Sequence, residues 1–455
     1  MRASDVGGEG SGDEALGTEM QIASSRAAAE PTTRRVDTGR LVVWGGYALV
    51  LAVAPLLFRG NFERTVLTQI GVGIVACLSY NMLLGQGGML SFGHAVYTGL
   101  GTFVAVHVML GVGDGSFPVP MSLVPVLGGI AGMGFAVLLG YVTTKKAGTP
   151  FAMITLGIGE LVSALVLMVP EFFGGEGGIS VNRTAGNAFL GITYGPQIEV
   201  YYLIAIYAFA CTLAMFAFTR TPLGRMLNAV RDNPERVEFI GYSTQRVRFF
   251  SFVIAGFFAG VAGGMYAVNA EIATPEVVGA ARSGAYLLFT FLGGATFFFG
   301  PVIGAVLMVA GLALFSELTK AWLLYLGLIF LFMVMYAPGG IASLIMMNLR
   351  VAAHRQLHRL WRWYALLAST ALVMLAGFAA MIEMIYALQF GAGGATKLNY
   401  LGVPLDTGGA ASWAGAAAVA ALGFAAFEVV RRRFALEWGS VQSDIEAAMT
   451  FKEPA

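Results

Sequence analysis

Charge and cysteine are scarce in this sequence. Charged residues make up 12% of the 455 positions, whereas hydrophobic residues make up 57%. Because soluble domains carry about twice that charged fraction, the composition excludes an ordinary soluble protein. The two cysteines, Cys77 and Cys211, lie within apolar runs and are interpreted as small core residues. Neither a disulfide framework nor a cysteine metal site is therefore expected.

The sequence also lacks the motifs of catalysis. It contains no HExxH motif, no CxxC motif and no Walker A loop, which is the loop that cradles ATP phosphates. His354 and His358 are spaced as metal ligands can be, but no carboxylate or cysteine stands beside them. We therefore expect no catalytic residue, no metal site and no cofactor bound by this chain. If ATP and Mg²⁺ drive its activity, separate subunits must hold them.

Long apolar runs dominate the sequence instead. A run of about 17 or more apolar residues suits a helix that crosses a bilayer core of about 30 Å. Such runs, with some shorter ones, predict crossings at residues 41–58, 66–84, 91–110, 121–143, 150–170, 200–219, 249–269, 284–298, 302–316, 320–337, 364–390 and 410–430. Gly300 and Pro301 interrupt one pair. The predicted fold class is an all-α polytopic membrane protein, with about ten helices followed by two C-terminal ones, some broken at glycines.

Basic residues are distributed unevenly between the two sides of this layout. With the N-terminus inside, the inner segments collect 18 lysines and arginines and the outer segments collect 6. The positive-inside rule therefore predicts that both termini lie in the cytosol. Residues 1–40 lack apolar periodicity, which predicts a disordered cytosolic tail. We interpret residues 346–363 as a basic cytosolic linker, residues 364–430 as an extra transmembrane pair and residues 431–455 as a cytosolic tail.

One polar, arginine-rich stretch, residues 221–241, lies between two membrane-grade runs on the predicted cytosolic side. Thr221 can cap a helix that Pro222 begins, and Asn233 can cap a second short helix that Gly241 closes. The apolar residues of the first helix recur at i, i+3, i+4 and i+7, so they form one face. Such an element is expected to dock in a groove of a soluble partner. The alternative is an interfacial helix that rests on anionic lipid.

Polar residues within the predicted spans are candidates for a translocation path, because such residues are costly in lipid. The candidates are Asn81, Gln86, Ser91, Gly93 and His94 in one glycine-rich segment, and Glu160 in a later span. Transporters build polar sites from helices broken at mid-membrane, which favours a path. The alternative for each residue taken singly is a hydrogen bond between helices. An ionisable carboxylate at position 160 needs a partner or water, so it is the sharpest candidate.

Glycines mark two further features. Gly256, Gly260 and Gly264 recur at every fourth position of one span, which predicts close packing against another helix. The outer segment at 171–199 is also rich in glycine, but no Gly-Lys-Ser/Thr sequence follows. We therefore interpret it as a flexible exposed turn and not as a phosphate-binding loop.

Several stretches together resemble one family, the permeases of branched-chain amino acid ABC importers, and most closely their LivM-type subunits. The resemblance covers residues 41–345 in order, and it is carried by SYNMLLGQGGMLSFGHAVYTGLGTF, TPFAMITLGIGELVSALV, TPLGRMLNAVRDNPERVEFIGYSTQRVRFFSFVIAGFFAGVAGGMYA, FTFLGGATFFFGPVIGAV and MYAPGGIASLI. Ser91, Gly93 and His94 match the SxGHA segment of the family. The chain departs from the family after about residue 345, and the role of its extra C-terminal spans is left open.

The resemblance implies an assembly. It implies a second permease subunit of the LivH type, two cytosolic ATPase subunits that bind ATP and Mg²⁺, and an extracytoplasmic solute-binding protein, all at a bacterial inner membrane. It implies membrane lipid as the surroundings and no nucleic-acid partner. It also implies a cytosolic signature that docks on the ATPase, matched here by Gly224, Arg225, Ala229, Arg231, Asp232, Asn233, Glu235 and Gly241.

The expected function is therefore ATP-driven import of branched-chain amino acids through a path shared with a second permease. Urea, short amides or aromatic acids are alternative cargoes of the same machinery. An ion-coupled secondary transporter would also explain an intramembrane Glu160 and broken helices, but it would need no ATPase. An intramembrane enzyme is disfavoured, because the four histidines are scattered.

Overall fold

The computed structural model of the protein describes residues 38–185, 192–315, 319–337, 339–390, 397–400 and 403–450. The predicted N-terminal tail lies outside these ranges up to residue 37. The helices are α1 (Thr38–Leu57), α2 (Asn61–Gly87), α3 (His94–Gly113), α4 (Val124–Thr143), α5 (Thr149–Met168), α6 (Pro170–Phe173), α7 (Gln197–Arg220), α8 (Pro222–Asp232), α9 (Pro234–Phe239), α10 (Thr244–Ala270), α11 (Ala280–Gly293), α12 (Gly300–Ala310), α13 (Trp322–Tyr336), α14 (Gly340–Ala353), α15 (Leu357–Phe390) and α16 (Ala410–Thr450). The predicted all-α class is confirmed.

Strands are few and short in the described chain. β1 (Ile179–Ser180) pairs antiparallel with β2 (Ile272–Ala273). β3 (Lys397–Tyr400) pairs antiparallel with β4 (Val403–Asp406), between the last two long helices. These pairs tie connecting segments together and form no sheet core.

Within the described residues, eight helices are long and apolar enough to cross a membrane, namely α2, α3, α4 with the turn before it, α5, α7, α10, α15 and α16. The pair α13 and α14, bent by 51°, adds a ninth candidate. Each of the eight coincides with a predicted crossing, and α13 lies within the predicted crossing at 320–337. α14 overlaps the segment predicted to be a linker. The chain divides into one unit up to Val53 and another from Ala54 onward. The apolar part of α1, Leu41–Leu57, is shorter than the eight.

Two predicted crossings, 284–298 and 302–316, are not full-length spans. α11 has 14 residues, and α12 has 11 and continues as five residues of π-helix at Gly311–Phe315. Neither extends more than about 24 Å within the described residues, less than a bilayer core. A Cβ on Gly293 would lie 2.7 Å from the backbone nitrogen of Gly304. The two helices therefore pack as a close antiparallel hairpin. Such a hairpin returns the chain to the side of the membrane it came from. The sides predicted for the later connecting segments are therefore unchanged.

The core is built around α10, which packs against α3 and α4 through glycines. A Cβ on Gly132 of α4 would lie 2.5 Å from the carbonyl oxygen of Gly256 on α10. On the α3 side, Thr102 Oγ1 donates a hydrogen bond to the carbonyl of Gly263 at 3.1 Å. The close packing predicted from the glycine spacing is confirmed, and it brings backbones into direct contact.

The C-terminal region forms a long helical hairpin. α15 has 34 residues and α16 has 41, and a Cβ on Gly423 of α16 would lie 2.5 Å from the backbone nitrogen of Met374 on α15. Thr319 Oγ1 donates to the carboxylate of Glu383 on α15, and Tyr325 Oη of α13 donates to it at 3.3 Å. These contacts join the hairpin to α13. The predicted tail after residue 430 continues α16 as far as Thr450.

Candidate functional site

A re-entrant segment joins α2 to α3. Gly88 ends α2 in the left-handed region, with φ of +63°, and the chain turns back along the helix it has just left. Tyr80 Oη donates a hydrogen bond to the carbonyl of Ser91 at 2.9 Å. His94 pairs with Ser79, eight residues before the end of α2, so α3 begins about 12 Å inside that end. The broken helix predicted from the glycines is present.

His94 is the first residue of α3 and is wholly buried. Ser79 Oγ lies 2.8 Å from the carbonyl oxygen of Ala76 and 2.9 Å from His94 Nε2. Nδ1 of His94 is buried without a hydrogen-bond partner among the described residues.

Two backbone donors at this broken point bind side chains of distant helices. The amide of Phe92 donates to Thr155 Oγ1 of α5 at 3.1 Å, and the amide of Ala95 donates to Ser283 Oγ of α11 at 2.9 Å. The unpaired atoms are instead on side chains. Asn81 Oδ1 and Ser91 Oγ are buried and, within the described residues, have no hydrogen-bond partner. Each such atom costs about 1–3 kcal/mol unless water or a ligand meets it.

α5 separates this buried cluster from the molecular surface. On one face, a Cβ on Gly93 would strike the carbonyl of Thr155, so α5 lies directly against the re-entrant segment. On the opposite face, Glu160 is exposed. The structure therefore buries Ser91 and His94 together in the re-entrant segment, with Glu160 outside it. Asn81 is buried on α2, close to Gly85. Gln86 is partly buried near the end of α2.

The exposed face of α5 differs from that of its neighbour α4. Residues that recur along α5 on that face are Met153, Leu156, Gly157, Glu160, Leu161 and Leu165. The matching exposed stripe of α4 consists of Ile130, Met133, Gly134, Val137, Leu138 and Tyr141. The α4 stripe has no acidic or basic side chain, whereas the α5 stripe has a carboxylate near its middle.

Residues 221–241 form the two short helices expected from their capping residues. Thr221 Oγ1 accepts a hydrogen bond from the amide of Gly224 at 3.2 Å, and Asn233 Oδ1 accepts one from the amide of Arg236 at 3.0 Å. Gly241 follows α9 with φ of +88°, as a closing residue requires. These local predictions are confirmed.

α8 packs against the end of α2, where the re-entrant segment begins. Its apolar side chain Leu227 is fully buried, and a Cβ on Gly87 would lie 3.0 Å from Leu227 Cδ1. Arg231 donates from its guanidinium to the carbonyl of Gly85 and pairs with Asp232 at 2.9 Å. The periodicity of α8 predicted the buried face, but it did not predict that Arg231 reaches back to α2.

The outward surface of this element is larger than the predicted set of residues. Arg225, Asp232, Asn233, Glu235 and Gly241 are exposed, whereas Gly224 is buried and Ala229 partly buried. Phe239, Ile240 and Tyr242 are also exposed, by 89%, 62% and 54%. The sequence analysis did not predict that these three belong to the surface. Three large apolar side chains within four consecutive residues, at the end of a polar element, would have indicated it.

The opposite ends of α7 and α10 are held together by Arg183. Its side chain is only 11% exposed; Nε donates to the carbonyl of Tyr194 at 2.7 Å, and the guanidinium reaches Gln197 Oε1 at 3.2 Å. The amide of Arg183 also donates to Glu271 Oε1 at 2.9 Å. The glycine-rich segment, predicted to be a flexible turn, is therefore tied down in its described parts. A cleft of about 460 Å³ opens beside it, against the end of α3.

Residues 64–338 match the family model described as the permease component of the branched-chain amino acid transport system. The matched range contains the re-entrant segment, α5 and the α8–α9 pair, and it covers more than half of the chain. The chain belongs to this family of permease components. It is a multi-pass membrane protein and a transport subunit, which is not itself a catalyst.

Relatives of this permease include two LivM proteins. The chain is 30% identical over 329 residues to the high-affinity branched-chain amino acid transport system permease protein LivM of Escherichia coli, which covers 67% of this chain and 75% of that protein. The LivM of Salmonella typhimurium is 29% identical over 328 residues, with the same coverage. The fructose import permease protein FrcC of Rhizobium meliloti is 26% identical over 217 residues, 45% of this chain and 56% of FrcC. No solved structure matches the chain significantly.

Proposed function

We propose that the chain is one of two permease subunits of an ATP-driven, binding-protein-dependent importer of branched-chain amino acids. The observation that carries this proposal is the α8–α9 pair, which is exposed on one side and packed against the re-entrant segment on the other. The relatives named LivM support the cargo. FrcC carries the name of a fructose permease, so urea, short amides and aromatic acids stay as alternative cargoes.

The proposed division of the chain follows from this role. Residues 41–345 form the permease domain, and residues 221–241 within it dock on an ATPase subunit in the cytosol. ATP and Mg²⁺ belong to that partner. The basic linker at 346–363 and the hairpin after it are an addition to the permease, and both termini lie in the cytosol.

A physical route leads from the docking surface to the polar cluster. A push on α8 moves Arg231, which is bonded to the end of α2 at Gly85. The next residues form the re-entrant segment that holds Ser91 and the start of α3. Because α10 is packed backbone to backbone against α4, the same push is also carried across the bundle by a rigid helix. Alternating access then follows from relative motion of these packed elements.

The exposed face of α5 is the proposed seam with the second permease subunit. A carboxylate at the centre of a bilayer costs about 2.5–3.5 kcal/mol on insertion scales, so a lipid-facing Glu160 is unfavourable. Protein or a water-filled path must cover it, whereas the apolar stripe of α4 suits lipid. We place the path for a zwitterionic substrate at this seam, with the buried Ser91 and His94 directly behind α5.

The substitution Glu160→Gln is expected to lower uptake about tenfold while the complex still assembles, because in this proposal the carboxylate faces the ammonium group of the substrate. A tenfold loss corresponds to about 1.4 kcal/mol of interaction free energy. Uptake of labelled leucine into vesicles, with assembly checked by size-exclusion chromatography, measures both. Leu161→Ala on the same face is the control and should retain most activity. Normal uptake by the glutamine variant would show that Glu160 only donates or accepts a hydrogen bond.

The cargo is tested on the solute-binding protein that this proposal expects to be encoded near this gene. Calorimetry with leucine, isoleucine, valine, urea and an aromatic acid is expected to show tight binding of the three branched-chain amino acids alone. Vesicles that contain the full complex should then take up leucine only with ATP. Binding of urea or of an aromatic acid would keep the machinery and change its cargo. Uptake by the permease without an ATPase, driven by an ion gradient, would contradict the importer.

A further inference from the structure

The ends of α14, α15 and α16 meet in a small bundle that carries an excess of positive charge. Val351, Leu360, Val441 and Ile445, from the three helices, pack into one buried cluster. The segments at 350–363 and 428–450 that surround this cluster contain seven arginines and four carboxylates. The contacts of the cluster therefore hold a strongly basic surface in a defined place, and they do not leave it as a loose tail.

The structure separates the arginines that are neutralised within the bundle from those that are not. Arg359 pairs with Asp444 at 2.9 Å and with Glu437 at 3.6 Å. Arg431 and Arg432 share the single carboxylate of Glu428. The remaining four, Arg350, Arg355, Arg362 and Arg433, are exposed and have no ion pair within the described ranges.

Apolar and aromatic groups stand beside these four arginines. α14 turns by 51° from the apolar helix α13, and it exposes Leu344, Ile345 and Met347 one or two turns before Arg350. Trp361, next to Arg362, is 71% exposed. Tryptophan and arginine at the ends of membrane-length helices are characteristic of the lipid–water interface, where the indole lies at headgroup level.

We propose that Arg350, Arg355, Arg362 and Arg433, with Trp361, form a binding surface for anionic phospholipid headgroups. Lipid is favoured over an acidic protein segment because the surface adjoins two membrane-length helices, α15 and α16, and the exposed apolar stripe of α14. A cluster of arginines at such a junction gains affinity for a negatively charged leaflet. The C-terminal hairpin thereby positions the permease among anionic lipids, a role separate from transport itself.

The test measures Trp361 fluorescence in the full-length permease reconstituted into nanodiscs. Brominated phosphatidylglycerol or brominated phosphatidylcholine is included as quencher at equal fraction, and the spectrum of Trp361→Phe is subtracted. Brominated phosphatidylglycerol is expected to quench the fluorescence of Trp361 about twofold more than brominated phosphatidylcholine does. The difference should shrink at high salt, because exposed charges are screened.

Matched variants test whether the arginines cause the difference in quenching between the two lipids. R355Q/R362Q is expected to abolish the difference, R355K/R362K to retain it, and K145Q/K146Q, which removes two exposed charges elsewhere on the predicted cytosolic side, to leave it unchanged. Size-exclusion chromatography checks that each variant is folded. Equal quenching by both lipids in the unmodified protein would overturn the proposal. Protection of Trp361 only when partner subunits are added would overturn it in favour of a protein contact.

Discussion

Reversing the charge of Arg225 or Asp232 is expected to abolish co-purification of the ATPase subunits and to reduce uptake at least about tenfold. Both side chains are exposed on the α8 surface, so the change adds repulsion where the proposed partner docks. Loss of a central charged contact in an interface often costs 2 kcal/mol or more, which exceeds about tenfold in affinity. Insertion of the permease into the membrane should be unchanged, because neither side chain is buried.

Arg231→Glu is expected to have a second effect that Arg225→Glu lacks. Its guanidinium is bonded to the carbonyl of Gly85, so the reversal also loosens α8 from α2. If a fused or overexpressed ATPase restores binding, the Arg225 variant should recover uptake and the Arg231 variant should not. Pull-down of the tagged ATPase and ATP-dependent leucine uptake are measured side by side, with Lys146→Glu as the control. A complex that assembles and transports normally with the Arg225, Asp232 and Arg231 variants would refute the docking role.

Gly132→Val is expected to destabilise the folded permease by about 3 kcal/mol or more. A Cβ at this position would lie 2.5 Å from the carbonyl of Gly256 and 2.7 Å from the Cα of Gly260. Both are backbone atoms of α10, so no side chain can rotate away, and the two helices must separate. Separation of α4 from α10 removes backbone-to-backbone packing between two helices, and lipid supplies no hydrophobic driving force to restore it.

Gly134→Val provides the matched control for this prediction. It lies two residues along the same helix, and a Cβ there would meet nothing within 4 Å. The two variants share the same chemical change and the same helix propensity cost, so they differ only in packing. Fluorescence-detected thermal unfolding of the detergent-solubilised protein should show a clear drop for Gly132→Val and little change for Gly134→Val. Equal stability of the two would contradict the backbone contact between α4 and α10.

These two sets of variants bear on the same transport step. The charge reversals act at α8, where the proposed ATPase subunit would push on the permease. The glycine substitutions act where α10 packs against α4. α10 follows directly after α9, and Arg183 binds carbonyls near its far end. A helix fixed at both ends and along its glycine face can move as one body.

The sequence by itself determined the local features of this protein. The caps at Thr221 and Asn233 were predictable because each bonds to an amide three residues away. The spans were predictable because their length and apolarity are set by the bilayer. The glycine face of α10 could be read from spacing alone, although its partner α4 could not.

Tertiary structure decided the contacts between distant parts of the chain. Arg231 reaches a carbonyl 146 positions away, and the amide of Ala95 is satisfied by Ser283, 188 positions away. No local pattern encodes such pairings, because they depend on which helices become neighbours. The same holds for Glu160: spacing along α5 defines a face, but only the packing of α5 on the re-entrant segment shows that this face is exposed. The sequence therefore determined which helices form and which residues are polar, and the packing determined where each polar group points.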